Sequence, residues 1–552
     1  MLPAYRERQT VPRPARLRAS TRSPQHLWRW AAVPFGVTYL ILLAIQFGDV
    51  IGATNLDADA VSAPVIGQLF GAAGPHANVV LGEFGWYATL LFELGTKWLP
   101  AHLQVWEAMP YAMALAGAAL AAWSVWQVAG PWAAGLTAVL LICAAPDTLH
   151  LLLSMTQHAP DWFCLALLAA FLVLMQRRAL SLRPIVLIGL SLVAGVIVGM
   201  NAASDPLLVL GGLVPFALAV ASAAVLVRGP ATLRALWVAL ATLVVTAVAW
   251  VLTLVVMSGL SVAPESGVHT TTLATAQKIG SNFRLWWQSI AVLGNGNFFG
   301  LDVSFLSVLA VACAALSIGA VVLLPRMGWQ ALRVRAEDAA SPEAAGRIAF
   351  MVFWCSSAVL LSAAFVLSAT PVDIHGDRYL VGLVYAAAAV IPAVAVGHMR
   401  TEAAAVAGTC VFALSGVIAM AKGTVTNDTS RFPTAAVANQ VWQLAVSKHL
   451  QFGYSGYWDA APITWASRFR VRVYPISLCV SNTHLCPFDL HTISSWYSPR
   501  GPIRSFLLTD SAIPLVPSPT PDLGRPSAVY HVGNLTMYVY PYDLATKIVH
   551  VH

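Results

Sequence analysis

Eleven stretches of mostly apolar residues, separated by polar connections, constrain the fold of this chain more than any other feature. Most approach the 20 or so residues with which an α-helix crosses about 30 Å of hydrocarbon. With 58% hydrophobic and 10% charged residues, the 552-residue chain lies outside the range of soluble domains. The sequence therefore predicts a polytopic α-helical membrane protein with about 11 transmembrane helices. The predicted spans are 31–47, 106–128, 131–146, 160–176, 184–200, 206–227, 235–257, 303–325, 349–369, 379–397 and 403–421.

The arginines predict the orientation of these spans. Arg177, Arg234, Arg326 and Arg400 lie in connections that fall on the same side as the basic N-terminal segment. Basic residues beside a span favour the cytoplasmic side, so we predict a cytoplasmic N-terminus in the cell membrane and, by parity, an extracytoplasmic C-terminus. Since these arginines account for much of the formal net charge of +7, membrane lipids are the expected partners and nucleic acid is not.

The same pattern divides the chain into three parts. The first is a basic cytoplasmic tail with no apolar run, and the second is the transmembrane domain with two long outer connections. The third is an extracytoplasmic soluble domain. The boundaries are 1–30 for the tail, 31–421 for the membrane domain, 48–105 and 258–302 for its outer loops, and 422–552 for the soluble domain.

The outer connections hold nearly all the acidic and histidine residues near the membrane. Asp161 and Asp205 each precede an apolar run and are interpreted as helix N-caps. Asp57 and Asp59, in "NLDADA", precede segments apolar enough to lie along the membrane interface, where a partly desolvated carboxylate can act as a base. Residues two apart share a face only in an extended segment. On a helix, one of the two would do chemistry and the other would cap.

The soluble segment predicts a mixed α/β fold. "RFRVRVYPISLC", "RSFLLTD" and "AVYHVGNLTMYVYPYDL" have the composition of strands, and "TAAVANQVWQLAVSKHL" that of a helix. Cys479 and Cys486 are predicted to form a disulfide on the oxidising side of the membrane. The aromatic cluster "GYSGYWDAAPITW" suits either a domain core, which we favour, or carbohydrate stacking.

Several of these features together resemble the GT-C superfamily of integral membrane glycosyltransferases, which includes protein mannosyltransferases, aminoarabinose transferases and actinobacterial arabinosyl- and mannosyltransferases. The similar features are the acidic "NLDADA" after the first span, the aromatic "GEFGWY", the late "DIHGDRYL" beside a span and the C-terminal outer domain. The resemblance implies transfer of a sugar from a polyprenyl-phosphate donor to a glycan, lipid or protein acceptor on the extracytoplasmic face.

The resemblance also implies a base from the first outer loop. Asp59 is preferred to Asp57 because it directly precedes the apolar "AVSAP". The motif reads D-A-D and lacks the adjacent acidic pair of several branches, which leaves both the choice of base and the need for a divalent metal open.

Displacement at an anomeric carbon also needs positive charge for the departing phosphate. Arg378 at the mouth of the tenth span is the main candidate, because guanidinium stays charged and makes bidentate contacts. A headgroup anchor paired with Asp377 or Asp373 is an equal alternative, and an interfacial anchor is favoured for the segment that contains Arg284. The remaining candidate donor-binding residues are Glu83, Trp86, Tyr87, His158, Lys278, Arg284 and His375.

Two other classes of protein stay open: a lipid or glycan transporter or flippase, and a non-catalytic cell-envelope assembly protein. Transporters place ionisable residues inside the membrane and often have internal repeats. The depth of the carboxylates therefore separates transfer from transport.

Overall fold

The structure is a computed structural model. The described residues are 24–54, 56, 58–70, 79–81, 85–155, 158–227, 229–259, 262–264, 272–333, 341–371, 373–423, 434–479, 484–512, 516 and 518–549. The predicted cytoplasmic tail therefore lies almost wholly outside them, as do Asp57 and Glu83.

Helices dominate the chain up to residue 421, as predicted. Ten helices in the described ranges are long and apolar enough to cross a membrane, and a bent pair makes an eleventh span if it is counted as one. The helices are α1 (Val33–Ile45), α2 (Phe47–Thr54), α3 (Ala58–Phe70), α4 (Gly85–Leu91), α5 (His102–Ala129), α6 (Pro131–Ile142), α7 (Pro146–Leu153), α8 (Ala159–Arg178), α9 (Pro184–Ser204), α10 (Val214–Leu226), α11 (Pro230–Gly259), α12 (Ala276–Leu293), α13 (Phe305–Leu332), α14 (Pro342–Leu367), α15 (Val381–Ala395) and α16 (Met399–Ala421).

The short third span is the bent pair. Its two helices, α6 and α7, meet at 87°. The break falls at Pro146, which has no N–H to continue the hydrogen bonds of α6 and begins α7 at its first position.

Small residues allow close helix packing within the bundle. A Cβ added at Gly199 of α9 would lie 2.4 Å from the Thr246 carbonyl oxygen of α11, and one at Gly195 would lie 2.7 Å from Val245. Glycine at these two positions therefore lets α9 and α11 approach closely without side-chain separation.

The polar residues meet at two opposite ends of the bundle. At one end, Arg29 forms an ion pair with Glu402 at 2.6 Å, and Arg234 donates to the Leu182 carbonyl. At the other end, which we call the acidic end, Asp59, His158, Asp205 and Arg378 lie in one region.

The C-terminal domain is built on a six-stranded sheet of order β5-β4-β3-β7-β9-β8, in which β3 is parallel to β4 and β7 and the other pairs are antiparallel. Its predicted strands and helix are present, and the sulfur atoms of Cys479 and Cys486 are bonded to each other. The elements are α17 (Ala435–Ser447), β3 (Phe452–Ser455), α18 (Tyr457–Ala466), β4 (Arg472–Leu478), β5 (Leu485–Pro487), β7 (Ser505–Asp510), β8 (Ala528–Val532) and β9 (Leu535–Tyr540).

A second, three-stranded sheet joins this domain to two outer connections. Its central strand β1 (Val79–Leu81) pairs in parallel with β2 (Val262–Pro264) and antiparallel with β6 (Thr492–Ile493). Helix α18 also packs on α3, just after the first span. The C-terminal domain is thus seated on the acidic end of the bundle.

Candidate functional site

Three side chains from distant parts of the chain meet where the C-terminal domain contacts the bundle. Nη1 of Arg378 lies 3.9 Å from Oδ2 of Asp59, and the Tyr457 hydroxyl donates a hydrogen bond to Oδ1 of Asp59. The Asp59 side chain is 16% exposed and that of Arg378 is 30% exposed. The two charged groups are therefore partly desolvated yet reachable from outside.

Asp59 is held by a helix. It lies in the first turn of α3, where a carboxylate is favoured by the positive end of the helix dipole. The chain is helical from residue 58 onwards. Asp59 is therefore not in the extended backbone that would be needed to place Asp57 and Asp59 on one face. Only Asp59 is described at the site.

Arg378 lies on a short 3₁₀ helix, Ile374–Leu380, that leads directly into α15. The Asp373 side chain accepts a hydrogen bond of 3.0 Å from the His375 N–H and so caps this turn. Nη2 of Arg378 donates to the Tyr379 hydroxyl at 3.2 Å, and its guanidinium lies 5.1 Å from the ring centroid of Tyr379. His375 is exposed on the outer side of the same turn.

A buried polar cluster lies next to Tyr379. The His158 ring is 5.1 Å from the Tyr379 ring, and Nδ1 of His158 contacts Oδ2 of Asp205 directly. Nδ1 also lies 3.7 Å from Oδ2 of Asp161, while the Asn201 amide donates to Oδ1 of Asp161 at 2.5 Å. The ligand atoms of His158, Asp161 and Asp205 lie within 4.8 Å of one another, so these residues have the spacing to hold a metal ion.

The interpretation of Asp161 as an N-cap was wrong, and that of Asp205 was incomplete. His158 is the N-cap residue of α8, and Asp161 is the third residue of that helix, with its side chain turned inward. Asp205 does accept a hydrogen bond from the Leu207 N–H at 3.0 Å, as a cap would, but its other oxygen contacts His158.

His491, a second residue of the C-terminal domain at the site, lies beside Tyr457. Its ring centroid is 6.1 Å from that of Tyr457, and a Cβ at Gly85 would lie 2.7 Å from its Cε1 atom. Burial lowers the pKa of His491 to about 4, although the nearby Asp59 carboxylate opposes this shift. The imidazole is therefore neutral at physiological pH.

The other predicted donor-binding residues differ in how deeply they are buried. Trp86 and Tyr87 are buried on α4, where the Tyr87 N–H donates to the Ser204 hydroxyl at 3.0 Å. Lys278 is half-buried and Arg284 is exposed on α12, which packs against the 3₁₀ helix of Arg378.

An apolar cavity of about 470 Å³ runs beside α15. It begins near Leu383, five residues beyond Arg378, and reaches Ala395, a distance of about 18 Å along the helix. Helices α13 and α16 form much of its other walls, with Leu316, Gly408 and Phe412 among the lining residues, and α6, α7 and α12 contribute further residues. The cavity therefore follows α15 from Leu383 to Ala395 within the bundle.

Five residues of the site were not among the predicted site residues: Tyr457, His491, Asn201, Asp161 and Asp205. The aromatic segment around Tyr457 was interpreted as domain core, which holds for its ring but not for its hydroxyl. No motif around His491 or Asn201 in the sequence points to a site, because each contacts a residue far away in the chain.

Fold and site together define a polytopic helical membrane protein with an ionic site at the junction of its bundle and a C-terminal α/β domain. No protein-family model and no curated protein matches the chain. It is similar to a crystal structure of ArnT from Cupriavidus metallidurans bound to undecaprenyl phosphate, with a TM-score of 0.47, 14% identity and coverage of 91% of this chain and 97% of that chain. For the apo form of the same protein the values are 0.40, 14%, 92% and 98%.

Proposed function

We propose that this protein is a membrane glycosyltransferase that moves a sugar from a polyprenyl-phosphate donor to a glycan, lipid or protein acceptor on the extracytoplasmic face. The observation that carries the proposal is the 3.9 Å approach of Arg378 to Asp59 at the acidic end of the bundle. A base and a phosphate-binding cation are the two groups that this reaction needs from the protein.

Asp59 is the proposed base. It takes the proton of the acceptor hydroxyl as that oxygen bonds to the anomeric carbon. The bond from the anomeric carbon to the phosphate oxygen breaks in the same step, and the leaving polyprenyl phosphate carries the negative charge. Arg378 stabilises that charge, which grows towards the transition state.

Tyr457 is the proposed orienting group for the base. Its hydroxyl holds Oδ1 of Asp59, and its ring stacks on Phe488 at 4.8 Å, so the hydroxyl is supported by the packing of the outer domain. Oδ2, which faces Arg378, is then the oxygen that receives the proton.

The apolar cavity beside α15 is the proposed place for part of the polyprenyl chain. Its lining is almost entirely aliphatic, aromatic and small residues, and its lining residue Leu383 lies five residues beyond Arg378 in the chain. A lipid phosphate at Arg378 can therefore leave its chain within the bundle. Undecaprenyl phosphate bound to ArnT is a ligand of the chemistry proposed here.

The position of the charges favours transfer over transport. In the candidate spans, each Asp, Glu, Lys and Arg lies within about two turns of a helix end. A transporter would be expected to hold such residues near the bilayer midplane. A non-catalytic assembly protein would not need a partly exposed Asp59–Arg378 pair that is oriented by the Tyr457 hydroxyl.

Lipid analysis in a deletion strain tests the proposal. We expect a polyprenyl-phosphate sugar to accumulate when the gene is deleted, and wild-type protein to remove it. Asp59→Asn, expressed at the wild-type level, should leave the lipid in place because loss of a general base lowers turnover by roughly 10² or more. Asp302→Asn, an exposed carboxylate just before α13, is the matched control and should restore turnover.

Two results would contradict the proposal. One is an unchanged lipid profile in the deletion strain. The other is full activity of the Asp57→Asn, Asp59→Asn double variant, which would remove the aspartates from the mechanism.

A further inference from the structure

We propose that His158, Asp161 and Asp205 form a binding site for one divalent metal ion beside the Asp59–Arg378 site. The cluster is distinct from the proposed base and phosphate-binding groups. The proposal does not depend on glycosyl transfer, because the site is defined by its own geometry and can be measured without a donor.

Three ligand atoms converge in this cluster. They are Nδ1 of His158, Oδ2 of Asp161 and Oδ2 of Asp205. Oδ2 of Asp161 is buried and no N–H or O–H group of the described residues donates to it; it faces Nδ1 of His158 at 3.7 Å and the carboxyl group of Asp205. This carboxylate oxygen has the separation from the imidazole that a shared ion at about 2.1 Å from each would need.

The second oxygen of each carboxylate is anchored by the protein. The Asn201 amide donates to Oδ1 of Asp161 at 2.5 Å, and the Leu207 N–H donates to Oδ1 of Asp205 at 3.0 Å. Outer hydrogen bonds of this kind orient carboxylate ligands towards an ion. Both anchors leave the Oδ2 atoms pointing at the same place.

Burial explains why a cation is favoured there. The side chains of His158 and Asp161 are each 1% exposed, and that of Asp205 is 4% exposed. Two carboxylates removed from water need compensating positive charge. A divalent ion neutralises both at once, whereas a single imidazolium would neutralise one.

The backbone conformation of His158 directs its ring towards the two carboxylates. His158 has φ of +66°, in the left-handed region that few non-glycine residues adopt, at the start of α8. That conformation turns its ring towards Asp205 at the end of α9. One imidazole and two carboxylates suit borderline to hard ions such as Mn²⁺, Zn²⁺ or Mg²⁺.

The cluster is linked to Arg378 through Tyr379. The Tyr379 ring lies 5.1 Å from the His158 ring, and Tyr379 also accepts a hydrogen bond from Arg378. Tyr379 thus lies between the cluster and Arg378, and an ion in the cluster adds positive charge near Arg378.

Binding of Mn²⁺ to the full-length protein tests the proposal. Protein purified in detergent is treated with EDTA, freed of it and titrated with Mn²⁺ alone, with free Mn²⁺ measured by EPR. We expect one Mn²⁺ per chain and a ¹⁴N coupling from His158 in the pulsed EPR spectrum. His158→Gln should abolish that coupling, and Asp161→Asn or Asp205→Asn should weaken binding at least tenfold.

Two further variants keep the test decisive if the ligand variants fold poorly. Asn201→Ala removes only the amide that holds Asp161 and should weaken Mn²⁺ binding roughly 10- to 100-fold. Asp302→Asn should bind as the wild type does. Absence of stoichiometric Mn²⁺, Mn²⁺ without ¹⁴N coupling, or unchanged binding in both aspartate variants would show that the cluster is a hydrogen-bonded triad and overturn the proposal.

Discussion

The hydroxyl of Tyr457 donates a hydrogen bond to the carboxylate of Asp59, 398 residues earlier in the chain. Tyr457 begins α18 of the C-terminal domain, and Asp59 lies in the first turn of α3. The C-terminal domain therefore supplies a side chain to the charged site.

Tyr457→Phe should lower the turnover number while leaving donor affinity nearly unchanged. A hydrogen bond to a charged group contributes about 1.5 to 3 kcal/mol, so the loss should be roughly 10- to 100-fold. The ring and its stacking on Phe488 remain. Steady-state kinetics measure the effect, with Tyr530→Phe in β8 as the control. An equal loss in both variants would mean that the domain was merely destabilised.

Arg378→Ala should mainly weaken donor binding, by about 2 to 5 kcal/mol, since it leaves the lipid phosphate without its partner. Arg378→Lys should recover part of that loss, because it keeps the charge but not the bidentate geometry. Equilibrium binding of undecaprenyl phosphate to the purified protein measures both. Arg525→Ala, an exposed arginine of the C-terminal domain, is the control. Unchanged affinity in Arg378→Ala would make the residue a headgroup anchor.

Asp459 should make the stability of the protein fall between pH 6.5 and 8. Burial, with a smaller effect of the Asp510 charge, raises its pKa to about 8, far above its ordinary value of 3.8. The folded form therefore holds a proton that the unfolded form has lost, and this stabilisation disappears as pH rises through 8.

Thermal unfolding at several pH values checks this expectation. Asp459→Asn, which cannot ionise, should flatten the decline between pH 6.5 and 8. The lowered pKa of His491 acts in a different window: its neutral form is stabilised, so stability is lost as pH falls from about 6.5 towards 4. A wild-type decline that persists in Asp459→Asn would assign the effect to another group.

Reporter fusions test the orientation of the bundle. Alkaline phosphatase fused after residue 430 should be active, because the arginine pattern places the C-terminal domain outside. The same enzyme fused after residue 337, in the connection between α13 and α14, should be inactive. The reverse pair of results would move the charged site to the cytoplasmic face, where lipid-linked donors would not be required.

The membrane helices and the secondary structure of the C-terminal domain could be predicted from the sequence. Each span is a local run of apolar residues, and its length alone decides that it crosses the bilayer. Strands such as β9 and the helix α17 likewise follow from the composition of their own segments. Even Asp59 and Arg378 were recognisable as candidates, because each lies in a polar motif beside an apolar run.

Which side chains share a site could not be predicted from the sequence, because it depends on the packing of distant elements. Asp161 precedes an apolar run and therefore looks like a cap, but α8 and α9 pack so that it faces Asn201 and His158. Tyr457 looks like part of a core until α18 is placed on α3. The reason is physical: a cap or a span depends on neighbours along the chain, whereas these contacts depend on how helices and domains pack across hundreds of residues.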